Sequence, residues 1–139
     1  MNRAGLIVVM AATLAIQLWH EAARVLFGLH GIPTDALYDL SCIAFAGMAL
    51  ALRSLWPLVF LTGSALNSIV ASINDGMPVL IDPPAPGHIA VDAQTRLVFF
   101  SDWIRINGVE ASPGDVLVVA GLFGAAITLL LRIRRWGLK

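Results

Sequence analysis

The sequence predicts an all-α membrane protein: four transmembrane helices with both termini on the cytoplasmic side, and an extracytoplasmic loop cap that contains a small β-hairpin. Three observations predict it. The 139 residues are 58% hydrophobic and only 13% charged, whereas a soluble domain carries about 25% charged residues. Four apolar runs, about 5–29, 36–52, 55–73 and 116–133, each have the roughly 17 to 25 residues an α-helix needs to cross about 30 Å of hydrocarbon. The basic residues partition with respect to those runs. With the amino terminus inside, Arg3, Arg53, Arg132, Arg134, Arg135 and Lys139 fall on the cytoplasmic side and Arg24, Arg96 and Arg105 on the other, as the positive-inside rule requires.

The first run opens MNRAGLIVVMAATLAIQLW, with the positive start and apolar middle of a signal sequence. No small-x-small cleavage site follows it, so it reads as an uncleaved anchor and first span. The second run is short and holds Asp39 near its start, with Asp35 of HGIPTD placed to cap it. Little more than Arg53 and Ser54 joins it to the third, which makes a helical hairpin. Residues 74–113 then form a connection of about 40 residues, too long to be a plain linker. Within it Asp82-Pro83-Pro84-Ala85-Pro86-Gly87 is a rigid turn. Asn107-Gly108, flanked by Trp103–Ile106 and Val109–Ala111, is the pair that favours a two-residue hairpin turn and sets Arg105 opposite Glu110. Phe99, Phe100 and Trp103 suit the headgroup level of a bilayer.

Formal net charge is zero, so no basic field invites nucleic acid. One cysteine, Cys42, allows neither an intramolecular disulfide nor a thiolate cluster, and His20, His30 and His88 lack the spacing of metal ligands. No metal or cofactor is expected.

The acids carry what chemistry there is. All nine, Glu21, Asp35, Asp39, Asp75, Asp82, Asp92, Asp102, Glu110 and Asp115, fall in the outer half under this topology. His20, Glu21 and Arg24 cluster at the outer end of the first span, where pairing and snorkelling compete with a functional reading. Asn67 in the third span can hydrogen-bond across helices, with small neighbours that favour close packing. Ser112-Pro113-Gly114-Asp115 has the order of a helix-capping box. Asn74-Asp75-Gly76-Met77-Pro78 reads as a helix end, with Gly76 supplying the left-handed residue and Pro78 blocking continuation. Asp102, between Phe100 and Trp103, has apolar neighbours that would favour proton exchange, and with Asp115 it forms the candidate catalytic pair. An Asp115 turned back onto the Ser112 amide would mark a cap instead.

Two resemblances arise from these motifs. Asn74-x-Gly-Met-Pro-Val79, His88, Thr95-Arg96-Leu97, Asp102 and Ser112-x-Gly-Asp115, in that order, resemble an uncharacterised family of small bacterial integral membrane proteins, a domain of unknown function, over roughly the C-terminal half. More faintly, Asp102 and Asp115 before the last span, with Asn74-x-Gly76, resemble lipoprotein signal peptidase, which holds two catalytic aspartates at the outer membrane face. The Phe-Asn that precedes that enzyme's second aspartate is Ala111-Ser112-Pro113 here, and the acids stand closer in sequence.

The preferred expectation is a non-enzymatic protein of the bacterial cytoplasmic (inner) membrane. Its outer loop would bind membrane lipids or a second membrane protein, with Asn74, Gly76, Pro78, His88 and Arg96 as the candidate contact residues. An intramembrane aspartyl hydrolase using Asp102 and Asp115, with Asn74 orienting the substrate, is the alternative, and a transporter or channel subunit is the third.

Overall fold

A computed structural model of the chain describes residues 32–80, 84, 87–106 and 109–135, together with 5, 7–9, 11–13, 15, 16 and 19. The described residues are mostly helical: α1 (Ile32–Leu52), α2 (Trp56–Ile73) and α3 (Pro113–Arg135) are joined by short strands β1 (Met77–Val79), β2 (His88–Ala90), β3 (Ile104–Ile106) and β4 (Val109–Ala111). The described positions between 5 and 19 are also helical. Two helices, α2 and α3, are long and apolar enough to cross a membrane. Along α3 the side chains of Val116, Val119, Phe123, Ile127 and Leu130, spaced three or four apart, all remain exposed. An apolar stripe of that kind has no solvent in water.

The chain separates into one unit of Met1–Leu58 with Leu122–Lys139 and a second of Val59–Gly121. In the first, Phe45, Met48 and Ala49 of α1, Pro57, and Ala125 and Leu129 of α3 are buried. Gly124 lies so close to the Trp56 ring that a Cβ would overlap it. The helix α1 begins at Ile32, four residues before the expected start of its span, because Pro33 sits in the first turn, where a missing N–H costs no hydrogen bond. Asp35 is therefore inside the helix and is not its cap. At the other end Arg53 adopts φ 45° and the Ser54 N–H reaches the Ala49 carbonyl at 3.2 Å, the six-residue closure of a Schellman motif.

In the second unit α2 and α3 run antiparallel at close range. Gly63 lies against the Gly114 carbonyl and the Val118 amide, and Gly121 against the backbone of Phe60. Small residues at these points let two backbones approach where larger ones would not. The end of α2 repeats the closure of α1: the Gly76 N–H reaches the Ala71 carbonyl at 2.9 Å, with Asp75 at φ 57°. The left-handed residue is thus Asp75, and the expectation for Gly76 is corrected by one position. Asp tolerates that region because its short polar side chain can bond locally. Gly76 itself takes φ 155°, and a Cβ there would press on Ile89 Cγ2 at 2.9 Å.

The expected hairpin is present. Strands β3 and β4 pair antiparallel with Arg105 opposite Glu110, and Arg105 Nε donates to Glu110 Oε1 at 3.0 Å. Glu110 also accepts the Leu80 N–H through Oε2 at 3.2 Å, so it ties the hairpin to the end of β1. The turn at Asn107-Gly108 lies outside the described residues, as does most of the proline-rich turn at 82–87.

A second pairing was not foreseen. Strands β1 and β2 run parallel, with Met77 opposite His88 and Val79 opposite Ala90. On its other edge β1 meets Asp102, whose N–H donates to the Pro78 carbonyl at 2.8 Å. Met77 and Val79 use their backbone groups toward the β2 side, where the Gly87 carbonyl and Val91 N–H are their partners. Pro78, the alternate residue, points its missing N–H to the edge that carries only the single bridge to Asp102. A proline is tolerated inside a strand under that condition.

Candidate functional site

Apart from Asp39, which lies in α1, every described candidate residue lies in the unit Val59–Gly121. Asn74 is the first residue past α2, and its side chain acts as a substitute strand for Arg96. Its Oδ1 accepts the Arg96 N–H at 2.8 Å, and its Nδ2 donates to the Arg96 carbonyl at 3.0 Å and to the Val70 carbonyl at 2.8 Å. A side-chain amide offers one acceptor and two donors, and all of that capacity is used. Asn74 therefore fixes a backbone 22 residues away instead of facing Asp102.

Just before Arg96 the chain makes a tight polar turn. Asp92 Oδ1 accepts the Gln94 N–H and the Thr95 hydroxyl, and Thr95 Oγ1 accepts the Asp92 N–H. The Gln94 amide, then the Thr95 hydroxyl, hold the Asp92 carboxyl below its ordinary pKa. Converting Asn74 to alanine removes three bonds, two of them long-range. We expect a loss of about 1–2 kcal/mol and faster deuterium uptake confined to residues around Arg96, read by hydrogen-exchange mass spectrometry. Unchanged uptake there would remove the role assigned to Asn74.

The parallel pairing brings His88 to Asp102. His88 is opposite Met77 and Asp102 is bridged to Val79, and residues two apart on a strand share a face. The two side chains therefore emerge on the same side of β1, and His88 Nε2 comes within 3.4 Å of Asp102 Oδ2. The imidazole is partly open, with 26% of its side chain exposed, and the carboxylate is closed, with 7%. The other oxygen, Asp102 Oδ1, is buried and has no hydrogen-bond partner among the described residues. Buried polar atoms are nearly always satisfied, so this oxygen is an acceptor open to an ordered water or a ligand atom. At that distance a proton carried on His88 Nε2 faces the Asp102 carboxylate. The arrangement can hold or pass a proton at His88.

Asp115 is placed differently. Ser112 precedes α3, and its N–H and hydroxyl both approach Asp115 Oδ2, at 2.8 and 2.9 Å. The Asp115 N–H returns to Ser112 Oγ at 3.0 Å. That reciprocal pair is a capping box with Asp in the third helical position. Across from it, Asn67 Nδ2 donates to Asp115 Oδ1 at 2.7 Å, and Asn67 Oδ1 lies 2.9 Å from the Ser112 hydroxyl. The hydroxyl has one proton for two acceptors. Since Asp115 Oδ2 already receives the Ser112 amide, Asn67 Oδ1 is the acceptor that needs it. Both Asp115 oxygens are engaged in holding a helix start to a neighbouring helix.

Of the remaining candidates, Gly76 and Pro78 shape the chain around β1, and the Pro78 carbonyl meets Asp102 only through the Asp102 backbone N–H. Arg96 contributes its backbone to Asn74, while its side chain is exposed. Asp39 lies within α1, but its side chain is outside the described set; His20, Glu21 and Arg24 lie wholly outside the described residues. Among the described residues no group of three or more His, Cys, Asp or Glu could hold a metal ion.

The aromatic segment beside Asp102 forms a ridge. Val98–Phe100 is a single 3-10 turn entered through Leu97 at φ 54°. Phe99 meets Phe100 edge-on at 5.2 Å and Trp103 at 6.0 Å between ring centres. Leu97, Val98, Phe99 and Trp103 all remain exposed.

Comparison of the chain with protein-family models, curated proteins and solved structures finds no match. The functional reading therefore rests on these residues and their geometry.

Proposed function

We propose that the protein is a non-enzymatic, four-span component of the bacterial cytoplasmic membrane, with both termini inside. In this reading residues 74–113 are an outer cap that presents a recognition surface at the bilayer face. The observation that carries it is the engagement of Asp115. A catalytic aspartate needs a free oxygen directed at water or substrate, and both oxygens of Asp115 are taken by Asn67 and Ser112. Asn74, the candidate substrate-orienting residue, is likewise spent on the Arg96 backbone. The apolar exposure of α2 and α3 supports the membrane placement, and the excess of Lys and Arg on one side supports the orientation.

One observation favours a second reading. His88 and the unsatisfied Asp102 form a proton-holding pair at a partly open position, so a hydrolase would centre on His88 and Asp102 in place of the two aspartates. One experiment separates the readings. In cells that depend on the protein, Asp102→Asn, His88→Gln and Asp115→Asn are each scored for phenotype, lipoprotein processing and amount of folded protein. The cap reading expects any phenotype to follow the amount of folded protein, with lipoprotein processing unaltered. A His88 or Asp102 variant present at the normal level, yet with lipoprotein processing lost, would favour the hydrolase reading in its place.

A further inference from the structure

We propose that Arg96 and the ridge of Leu97, Val98, Phe99 and Trp103 form an anchoring site for the outer leaflet, in which the Arg96 guanidinium binds the phosphate of an anionic phospholipid while the ridge enters the acyl boundary. The inference rests on the reading of α2 as a membrane span, and it names what the cap's surface takes.

Depth is the first argument. The helix α2 has 18 residues, about 27 Å at 1.5 Å per residue, close to the roughly 30 Å of hydrocarbon it would cross. Its last residue, Ile73, then stands at the boundary. Asn74 follows it directly and grips the Arg96 backbone on both sides, at 2.8 and 3.0 Å. Arg96 is therefore held within one side-chain length of the span's end, at headgroup level, although it lies 22 residues further along the chain.

Charge is the second. Between Ala93 and Ser101 the one charged residue is Arg96. Among the described residues the close acid–base pairs are His88 with Asp102 and Arg105 with Glu110, so no described carboxylate claims the Arg96 guanidinium. The acids that follow it, Asp102 and Glu110, turn their side chains inward, 7% and 5% exposed. A guanidinium in that setting suits a phosphate, which it can bind through two parallel N–H groups.

The ridge is the third. Phe99 is 67% exposed and Leu97 48%, yet the segment is fixed from within. Phe100 N–H donates to the Leu97 carbonyl at 2.8 Å, the Ser101 amide and hydroxyl both donate to the Val98 carbonyl, and Trp103 Nε1 donates to the Phe99 carbonyl at 2.7 Å. Leu97 keeps a left-handed φ of 54° to turn the chain there, a conformation that costs a non-glycine residue about 1–2 kcal/mol. A preformed apolar wedge loses little entropy when it is buried. Its indole N–H is already bonded, so Trp103 contributes area, and the polar contact is left to Arg96.

The test uses the full chain in lipid nanodiscs, with Cys42→Ala and a spin label attached at Phe99→Cys. The depth of the label is measured in phosphatidylcholine alone and with added phosphatidylglycerol, and the relative affinity for the two lipids is measured by competition. We expect the label below the phosphate plane, and a preference for phosphatidylglycerol that falls about fivefold in Arg96→Gln and is retained in Arg96→Lys. Because Asn74 holds only the backbone of Arg96, neither change disturbs the fold. A label exposed to water, with α2 still protected from aqueous reagents, would overturn the anchor and leave the membrane reading standing. Loss of protection along α2 would overturn both. A preference unchanged in Arg96→Gln, or abolished by millimolar inorganic phosphate, would overturn the lipid assignment. Burial of the label in native membranes but not in nanodiscs would overturn it in favour of a protein partner.

Discussion

Gly121→Ala is expected to destabilise the protein by about 2 kcal/mol, measured as a lower midpoint of unfolding in detergent by circular dichroism. The added methyl would stand 2.6 Å from both Cα and Cβ of Phe60 and closer still to its amide nitrogen. Those atoms cannot rotate away, and Phe60 is fully buried. Overpacking of this kind typically costs 1–3 kcal/mol, against a gain of about 1 kcal/mol in helix propensity for replacing glycine. Backbone atoms in direct overlap put this site at the upper end of the penalty, so the clash wins. The internal control is Gly47→Ala in α1, where nothing lies within 4 Å of the new Cβ; there only the propensity term acts, and the midpoint should rise or stay level. If Gly121→Ala and Gly47→Ala behave alike, α2 and α3 are not in contact at Phe60.

Asp115→Ala should cost about 2 kcal/mol, roughly 1 from the lost helix cap and roughly 1 from the interhelical bond to Asn67. Asn is a useful intermediate. An amide presents one oxygen, and Asp115 now uses two, Oδ1 for Asn67 and Oδ2 for the Ser112 amide. Asp115→Asn can satisfy only one of them, and its loss should fall between those of wild type and alanine. The decisive measurement is a double-mutant cycle with Asn67→Ala. Residues in one hydrogen-bond network couple by 0.5 kcal/mol or more, whereas a purely local cap would leave the two changes additive. A coupling near zero would reduce Asp115 to a cap and remove the tie between the helices.

What could be read from the chain, and what could not, divides by sequence distance. The capping box closes over three residues, and its requirement for a hydroxyl followed by an acid is stereochemical, so Ser112 and Asp115 announced it. Arg105 and Glu110 were legible for the same reason, since a two-residue turn fixes the register of its flanks. The Asn74–Arg96 clamp joins residues with no pattern between them. The pairing of β1 with β2 was hidden further by Pro78, which argues against a strand unless the partner on each edge is known. With that strand went the meeting of His88 and Asp102; both had been singled out, one as a contact residue and one as an acid, and only the register joins them. Two local readings missed by a few residues. Gly76 drew attention as the permissive residue, but the hydrogen bond from its own amide to Ala71 makes the preceding Asp75 the turning point. Asp35 has the chemistry of a cap for a span that starts at 36, but α1 begins at Ile32 with Pro33 in its first turn.

The shared polar knot of Asn67, Ser112 and Asp115 bears on how such a protein would be made. On the membrane reading α3 arrives at the bilayer carrying a carboxylate at its leading turn, and an Asp near the middle of a lone apolar helix adds about 2.5–3.5 kcal/mol to the work of insertion. Near the end of the helix the burden is smaller, but it is not met within α3 alone, because Ser112 supplies donors to one oxygen only and the other depends on Asn67. Asn67 belongs to α2 and leaves the ribosome 45 residues ahead of Ser112. The earlier helix is thus already waiting with the amide that the later one lacks, and synthesis order itself favours the two helices settling as a pair.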